Sequence, residues 1–530
     1  MKKLLVVSII LAMLAAPIFA CTCFAVGKAA TVDGSTIVTH NDDSSGADFR
    51  LWIIPGGTHE EGEMRDLVID SHNYADYATW YTEGAEKDYG NGMLVDQMPE
   101  ASVTYQYFHC RYSFMNEKGV AMGETTMSYD RSTEIGKKSY QAIFGDNNGI
   151  IDCWNAQDIA LERATTAREA VEIMADLVTK YGWKDAGESI DICDGNEVWI
   201  AEFYGKDLYC AFRLPDDALW VGANRATIDH VEWDNPDWIY SPNLYTFAVE
   251  NGLYDGPKES FSPQDAYNPS TGLYGSRREW RGLSLAAPSL GLDPNDNDFP
   301  LYVTPDRLLS VQDIFEFCGD YYQGTPYDVS KTAMAGPYGD PLYPQNQERT
   351  INLFRCCYVM IANVKSWLPD EAKCLVWHGY GSADSTYLTP LWASMNSLPE
   401  FYITGNRYEE YREDSGWWVC SGVQQLARIN YQDAIKKIHA VRQEKLDGLY
   451  EIVPAVQQTA ARLVYEGKEE QAKAYLTTFA SQTATEWQET WLDLTDYLLG
   501  YYMWGNKQMK TASFSKYYQS VLAAAPAPEV

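Results

Sequence analysis

The chain has 530 residues, 46% of them hydrophobic, and its 74 acidic against 41 basic side chains give a formal charge of −33 at pH 7. That length supports a large core in one extended domain or two. The acidic excess opposes phosphate backbones and anionic membranes, which require clustered Lys and Arg, so nucleic acid is excluded as a partner.

The chain opens with Lys2 and Lys3, an apolar run over 4–16, and Pro17-Ile18-Phe19-Ala20 ending in a small residue. This is the pattern of a secretory signal peptide over 1–20. The run is shorter than the roughly 20 apolar residues a membrane span needs, and no later stretch of that length escapes charges or prolines. The expectation is an exported protein, periplasmic or secreted, with no integral membrane segment after cleavage. Cutting after Ala20 frees the α-amine of Cys21. Ile18-Phe19-Ala20-Cys21 also loosely resembles a lipoprotein signal, which would lipidate the thiol and acylate the amine; the bulk of Phe19 argues against it. On that alternative the chain is a lipid-anchored, non-catalytic surface protein that binds peptides or glycans. Its 38 Tyr and 17 Trp residues would suit a sugar-binding face, although aromatic residues in a large chain more commonly fill cores and interfaces.

Thr22-Cys23-Phe24-Ala25-Val26 and Thr36-Ile37-Val38-Thr39-His40 are apolar and β-branched, with Gly27 and Asp33-Gly34 as turn chemistry between them, so they predict a β-hairpin. Antiparallel pairing sets start against finish, which brings His40-Asn41-Asp42-Asp43 back beside Cys21. Strands follow over 105–108, around Phe114 and over 120–122, the last two joined by the turn Asn116-Glu117-Lys118-Gly119. Thr166-Ala167-Arg168-Glu169 has the spacing of a capping box. It opens a helix whose apolar face is Ala170, Val171, Met174, Leu177, Val178 and Tyr181, stopped by Gly182. The period then returns to two over 189–193, 197–202, 208–213 and 219–224, and strands of this kind after a helix argue for antiparallel sheet packed on helices. From about Ser421 the spacing is helical, with Pro454 expected to break or start a helix. No internal repeat is present. The segments divide as signal peptide 1–20, catalytic domain 21–420, a packed helical extension 421–520 and a flexible tail 521–530.

An N-terminal cysteine carries its own chemistry. A thiol near its ordinary pKa of about 8.5 is mostly protonated at neutral pH, so attack on an amide needs a nearby base. An α-amine, with a pKa of about 8, is partly neutral at pH 7 and sits on the same residue. Asp43 is positioned by the hairpin to accept hydrogen bonds from that amine, against the plain reading of Asn41-Asp42-Asp43-Ser44 as a solvated turn. None of the seven histidines lies in a Cys/His protease signature, although His230 or His378 are free to approach in space. Cys21-Thr22-Cys23 offers two sulfurs but no neighbouring Cys or His pair with metal spacing, so neither metal nor cofactor is expected. The other ten cysteines are even in number, which permits disulfides and equally permits buried free thiols.

Cys21-Thr22-Cys23-Phe24-Ala25-Val26-Gly27, Asp33-Gly34-Ser35-Thr36 and Asn41-Asp42-Asp43-Ser44 resemble the start of the cysteine dipeptidase A family, relatives of secernins within the N-terminal nucleophile hydrolases. Asn116-Glu117-Lys118-Gly119-Val120-Ala121, Glu197-Val198-Trp199-Ile200-Ala201-Glu202, Val221-Gly222-Ala223-Asn224, Arg278-Glu279-Trp280 and Arg349-Thr350-Ile351 continue the resemblance over nearly the whole mature chain. It implies an α+β fold of four layers, αββα, with two stacked, mainly antiparallel sheets, the nucleophile on an edge of one sheet, and a helix-rich C-terminal part. It also implies hydrolysis of dipeptides, with another small amide, such as an acyl-amino acid or bile salt, as the alternative substrate. By position, Cys21 matches the nucleophile, Asp43 the amine-orienting carboxylate, Asn224 an oxyanion donor and Arg278 an arginine that lowers the thiol pKa. His40 stands where relatives place an arginine. Thr126 is a candidate second oxyanion or substrate contact, and Glu124 a candidate partner for the substrate's amine. A homo-oligomer is compatible with all of this.

Overall fold

A computed structural model describes residues 21–525 apart from 45, 70–73, 83, 271, 344–347 and 506. The expected signal peptide and the end of the expected tail, 526–530, lie outside the described residues. The hairpin forms as read. Strand β1 (Cys23–Val26) pairs antiparallel with β2 (Thr36–Asp42), Ala25 opposite Val38. A further bridge joins Thr22 to Asn41, so the end of β2 returns beside Cys21.

β1 and β2 belong to a six-stranded sheet in the order Leu219–Gly222, β1, β2, Tyr358–Val364, Leu375–Tyr380, Thr389–Trp392. β1 has a neighbour on each side. Cys21 therefore stands at the entrance of an inner strand, not on the sheet edge that the resemblance implied. The second sheet has eight strands: Trp238–Tyr240, Leu208–Leu214, Val198–Gly205, Glu188–Cys193, Ala121–Thr126, Met115–Asn116, Tyr107–His109 and Trp52–Ile54. Three of the four strands read after the first long helix lie consecutively here. The fourth, Leu219–Gly222, crosses to the other sheet, and the crossing lays the Asp216 carbonyl on the Ala29 N–H at 2.7 Å.

The sheets stack face to face. The Asp191 carboxylate of one accepts from the Thr39 N–H of the other at 3.2 Å, and a Cβ on Gly123 would run into the Thr39 carbonyl. Glycine is the residue that permits this approach beside Glu124. Helices Cys153–Arg163 and Ala167–Tyr181 cover the outer face of the eight-stranded sheet, burying Ile159, Val171, Met174 and Val178 against Ile190, Ile192 and Trp199. Thr166 caps the second helix through the Glu169 N–H, while the Glu169 side chain bonds Thr165, one residue earlier than the box spacing implied.

Leu273–Ala286, Val311–Cys318 and Gly416–Ala427 lie on the six-stranded side, giving four layers, αββα. The expected boundary at 420 falls inside Gly416–Ala427. Tyr431–Tyr465 and Glu469–Tyr501 then pack as an antiparallel pair. Tyr431–Tyr465 runs straight through Pro454, contrary to the expected break. Pro454 is on the exposed face while Leu446, Val453 and Val456 on either side are buried, and that packing offsets the missing hydrogen bond. A short helix, Lys516–Ala524, occupies part of the expected tail.

Six tryptophans, at 183, 199, 220, 392, 487 and 491, are almost completely buried, which is core filling. All eleven cysteines are buried and free. Among the described residues no helix is long and apolar enough to cross a membrane.

Candidate active site

Five elements converge on Cys21: the start of β1, the end of β2, the Ala121–Thr126 strand, the loop after Leu219–Gly222 and the helix Leu273–Ala286. The sulfur lies 3.6 Å from Glu124 Oε2, and the Asp43 main chain is close enough to oppose the rise in its pKa. Burial raises the thiol pKa well above its ordinary value, and the carboxylates of Glu124, Asp42 and Asp43 raise it further. The thiol is thus protonated at neutral pH, and its activation requires a base.

Asp43 is fully buried. Its Oδ2 accepts from Arg349, and its Oδ1 has no hydrogen-bond partner among the described residues. Burial drives this carboxyl upward, opposed by Arg349, Arg355 and Arg278. This leaves Asp43 Oδ1 as a buried acceptor atom open to a donor.

Arg278, on the helix Leu273–Ala286, is also fully buried. It donates to the Cys21 carbonyl at 2.6 Å, Thr22 Oγ1 at 2.9 Å, the Ala223 carbonyl at 3.0 Å and Asn224 Oδ1 at 2.8 Å. These contacts are to the frame around the sulfur. The contacts that Arg278 makes are with the Cys21 carbonyl and the Asn224 amide, so its geometry is that of a residue that positions the two. Burial itself lowers the guanidinium to about 10.

Asn224, two residues beyond the strand Leu219–Gly222, is in the left-handed region, φ 60°, a conformation asparagine tolerates better than most residues. Its Oδ1 is held by Arg278, which fixes the amide's orientation, and its Nδ2 donates to the Thr126 carbonyl at 2.6 Å. One Nδ2 hydrogen remains for another acceptor. The Thr126 hydroxyl is turned to Glu124 Oε1 at 2.8 Å. Glu124 itself faces the Cys21 sulfur and His40, with His40 Nε2 3.6 Å from Oε2. Burial raises Glu124, and it raises Glu188 further because the two carboxyl groups lie against each other. His40 pairs its Nδ1 with the Tyr358 hydroxyl at 2.9 Å, and burial lowers it to about 3, so the ring is neutral.

All seven site residues named from the sequence come together here. His230 and His378 do not: His230 is on the surface against Asp229, and His378 is stacked among Phe114, Tyr358 and Tyr380. Arg349, Arg355, Glu188 and Tyr358 were missed as site residues. The familial segment Arg349-Thr350-Ile351 was the one available sign of the first, since Arg349 lies 306 positions from Asp43 in the chain. Cys23, the second sulfur of Cys21-Thr22-Cys23, turns away to the Glu124 carbonyl. The donors that do converge with Cys21 are His40 and Glu124.

A buried thiol at a strand entrance, framed by a carboxylate, an arginine and an asparagine between two stacked sheets, is the architecture of a cysteine peptidase. Residues 20–444 match the model of Peptidase family C69, and the chain belongs to that family. It is 25% identical over 490 residues to a probable dipeptidase of Latilactobacillus sakei, covering 90% of this chain and 94% of that one. A probable dipeptidase B of Lactococcus lactis subsp. lactis is 26% identical over 425 residues, 78% and 82% of the two chains. A dipeptidase of Bifidobacterium longum is 25% identical over 485 residues, 86% of each.

Proposed function

We propose that this chain is an exported dipeptidase in which Cys21, freed at the N-terminus, is the nucleophile. The observation that carries the proposal is the set of groups around one residue: the Cys21 sulfur 3.6 Å from Glu124, its carbonyl on Arg278, and the end of β2 with the buried, part-open Asp43 carboxylate returning next to it. The family match beginning at residue 20 and the names of the relatives support the same reading.

In this mechanism the Cys21 α-amine, oriented by Asp43 Oδ1, takes the thiol proton as sulfur attacks the peptide carbonyl. The tetrahedral oxyanion is held by the free Asn224 Nδ2 hydrogen and main-chain amides. Collapse breaks the C–N bond, the amine returns the proton to the departing amino acid, and a thioester remains on Cys21. Water, deprotonated by the same amine, hydrolyses the thioester and regenerates the thiol. The raised thiol pKa keeps the resting sulfur protonated, so attack requires the amine to take that proton.

The test is turnover of a dipeptide panel by the exported protein and by its Cys21→Ala and Cys21→Ser variants, with acyl-amino acids and bile-salt amides alongside. The proposal expects dipeptide hydrolysis in the native protein and its loss in Cys21→Ala. Full activity in Cys21→Ala refutes it.

A further inference from the structure

His40 replaces the arginine that the resemblance placed before Asn41, and the proposed chemistry leaves it idle. Its surroundings give it a use. Cys21 Sγ, His40 Nε2 and a Glu124 carboxylate oxygen all lie within 4.8 Å of one another. Two of the three edges are 3.6 Å each, Sγ to Oε2 and Nε2 to Oε2. In a tetrahedral zinc site, bond lengths of about 2.3 Å to sulfur and about 2.1 Å to nitrogen or oxygen set sulfur and oxygen donors about 3.6 Å apart, and nitrogen and oxygen about 3.4 Å apart. The two edges at Glu124 Oε2 are close to those separations, and the third, sulfur to Nε2, is within 4.8 Å.

The imidazole is prepared as a ligand. His40 is fully buried, and its Nε2 has no hydrogen-bond partner among the described residues. Its other nitrogen is bonded to the Tyr358 hydroxyl, which with Nδ1 as donor leaves the Nε2 lone pair facing Cys21 and Glu124, the arrangement that orients metal-binding histidines. Glu124 is steadied in turn by the Thr126 hydroxyl. An arginine at position 40 would abolish the site, since a guanidinium offers no lone pair.

We propose that Cys21, His40 and Glu124 bind a zinc ion that reversibly switches off the nucleophile. Zinc displaces the thiol proton to solvent and takes the sulfur, Nε2 and a carboxylate oxygen, which draws off the thiolate's charge and lowers its power to attack a substrate carbonyl. The fourth position is open to water or, in the processed chain, to the Cys21 α-amine, which closes a five-membered chelate with its own thiolate. Binding stands on geometry alone; its inhibitory effect rests on the peptidase reading above.

The experiment uses protein beginning at Cys21, stripped with chelator, dialysed against zinc and analysed for metal content, with turnover measured in parallel. The expected result is one zinc per chain, turnover lowered at least about tenfold and restored by EDTA, and a thiolate-to-metal charge-transfer band when cobalt replaces zinc. His40→Gln should weaken zinc binding about 100-fold. If that variant misfolds by circular dichroism, Tyr358→Phe, which removes only the orienting hydroxyl, should weaken it about 10- to 100-fold. Cys153→Ser, in a second donor group with Asp185 and Glu188, should retain the zinc. Absence of bound zinc in the native protein, or zinc lost in Cys153→Ser and kept in the His40 and Tyr358 variants, overturns the inference. A Cys21→Ala variant that keeps turnover overturns the peptidase reading instead, while metal content still reports on the site.

Discussion

Arg349 bonds the Asp43 carboxylate in the interior of the molecule, both side chains nearly or fully buried and 306 positions apart in the chain. Breaking such a pair by removing one partner strands a charge, which costs about 3–5 kcal/mol. Arg349→Met is therefore expected to destabilise the protein by that order, and Asp43→Asn added to it should recover part of the loss. Urea unfolding of the two single variants and the double variant measures the coupling.

Asn224 sits at φ 60° with its amide fixed by Arg278. Asn224→Gly keeps that backbone conformation at no steric cost and deletes the proposed oxyanion donor together with its bonds to Arg278 and the Thr126 carbonyl. The expectation is a fall in kcat of about 10²- to 10³-fold, with KM changed by less than about threefold because the amide acts on the transition state. Steady-state kinetics on one dipeptide reads both.

Gly123 is where the two sheets nearly touch. Gly123→Ala drives a Cβ into the Thr39 carbonyl, so the sheets must part beside Glu124. Overpacking of this kind costs about 1–3 kcal/mol, and the displacement of Glu124 should lower turnover as well. Thermal unfolding and activity of the same preparation check both expectations.

Glu202 holds the loop that follows Asn224, accepting from the Thr227 N–H at 2.6 Å, the Thr227 hydroxyl at 2.9 Å and the Tyr204 hydroxyl at 2.9 Å. Burial pushes its carboxyl up to about 7 from an ordinary 4.5. Between those values the folded protein keeps a proton that the unfolded chain has released. Its stabilising contribution is complete below about pH 4.5 and is lost as pH rises through about 7, a change on the order of 3 kcal/mol. Glu202→Gln cannot lose a proton there. The stability of the native protein relative to the variant should thus decline from about pH 5 to about pH 8.

Local pattern carried much of this structure. The hairpin at Cys21, the helix stopped by Gly182 and the alternating strands over 189–213 follow from residue type and spacing, because each is stabilised chiefly within its own segment. Assignments that depend on distant partners were not legible. Leu219–Gly222 alternates like its predecessors, and only pairing with β1 assigns it to the other sheet. Pro454 carries a breaker's signal that packing of Leu446, Val453 and Val456 overrides. In the site, Asp43 followed from hairpin geometry, whereas Arg349 and Glu188 were hidden because nothing near them in sequence records what they meet. Arg278 was identified by resemblance, but its contacts with the Cys21 carbonyl and Asn224 were not legible, because the partners lie 257 and 54 positions away.

The account stands on one residue supplying both sulfur and base, and the direct measurement blocks the base while sparing the sulfur. Two preparations are compared for dipeptide turnover, one beginning at Cys21 and one retaining Ala20 ahead of it, with intact mass confirming each N-terminus and thiol titration confirming each sulfur. The account predicts turnover from the first and a loss of at least about 10²-fold in the second, the usual worth of a positioned general base. Equal turnover from the two would contradict it.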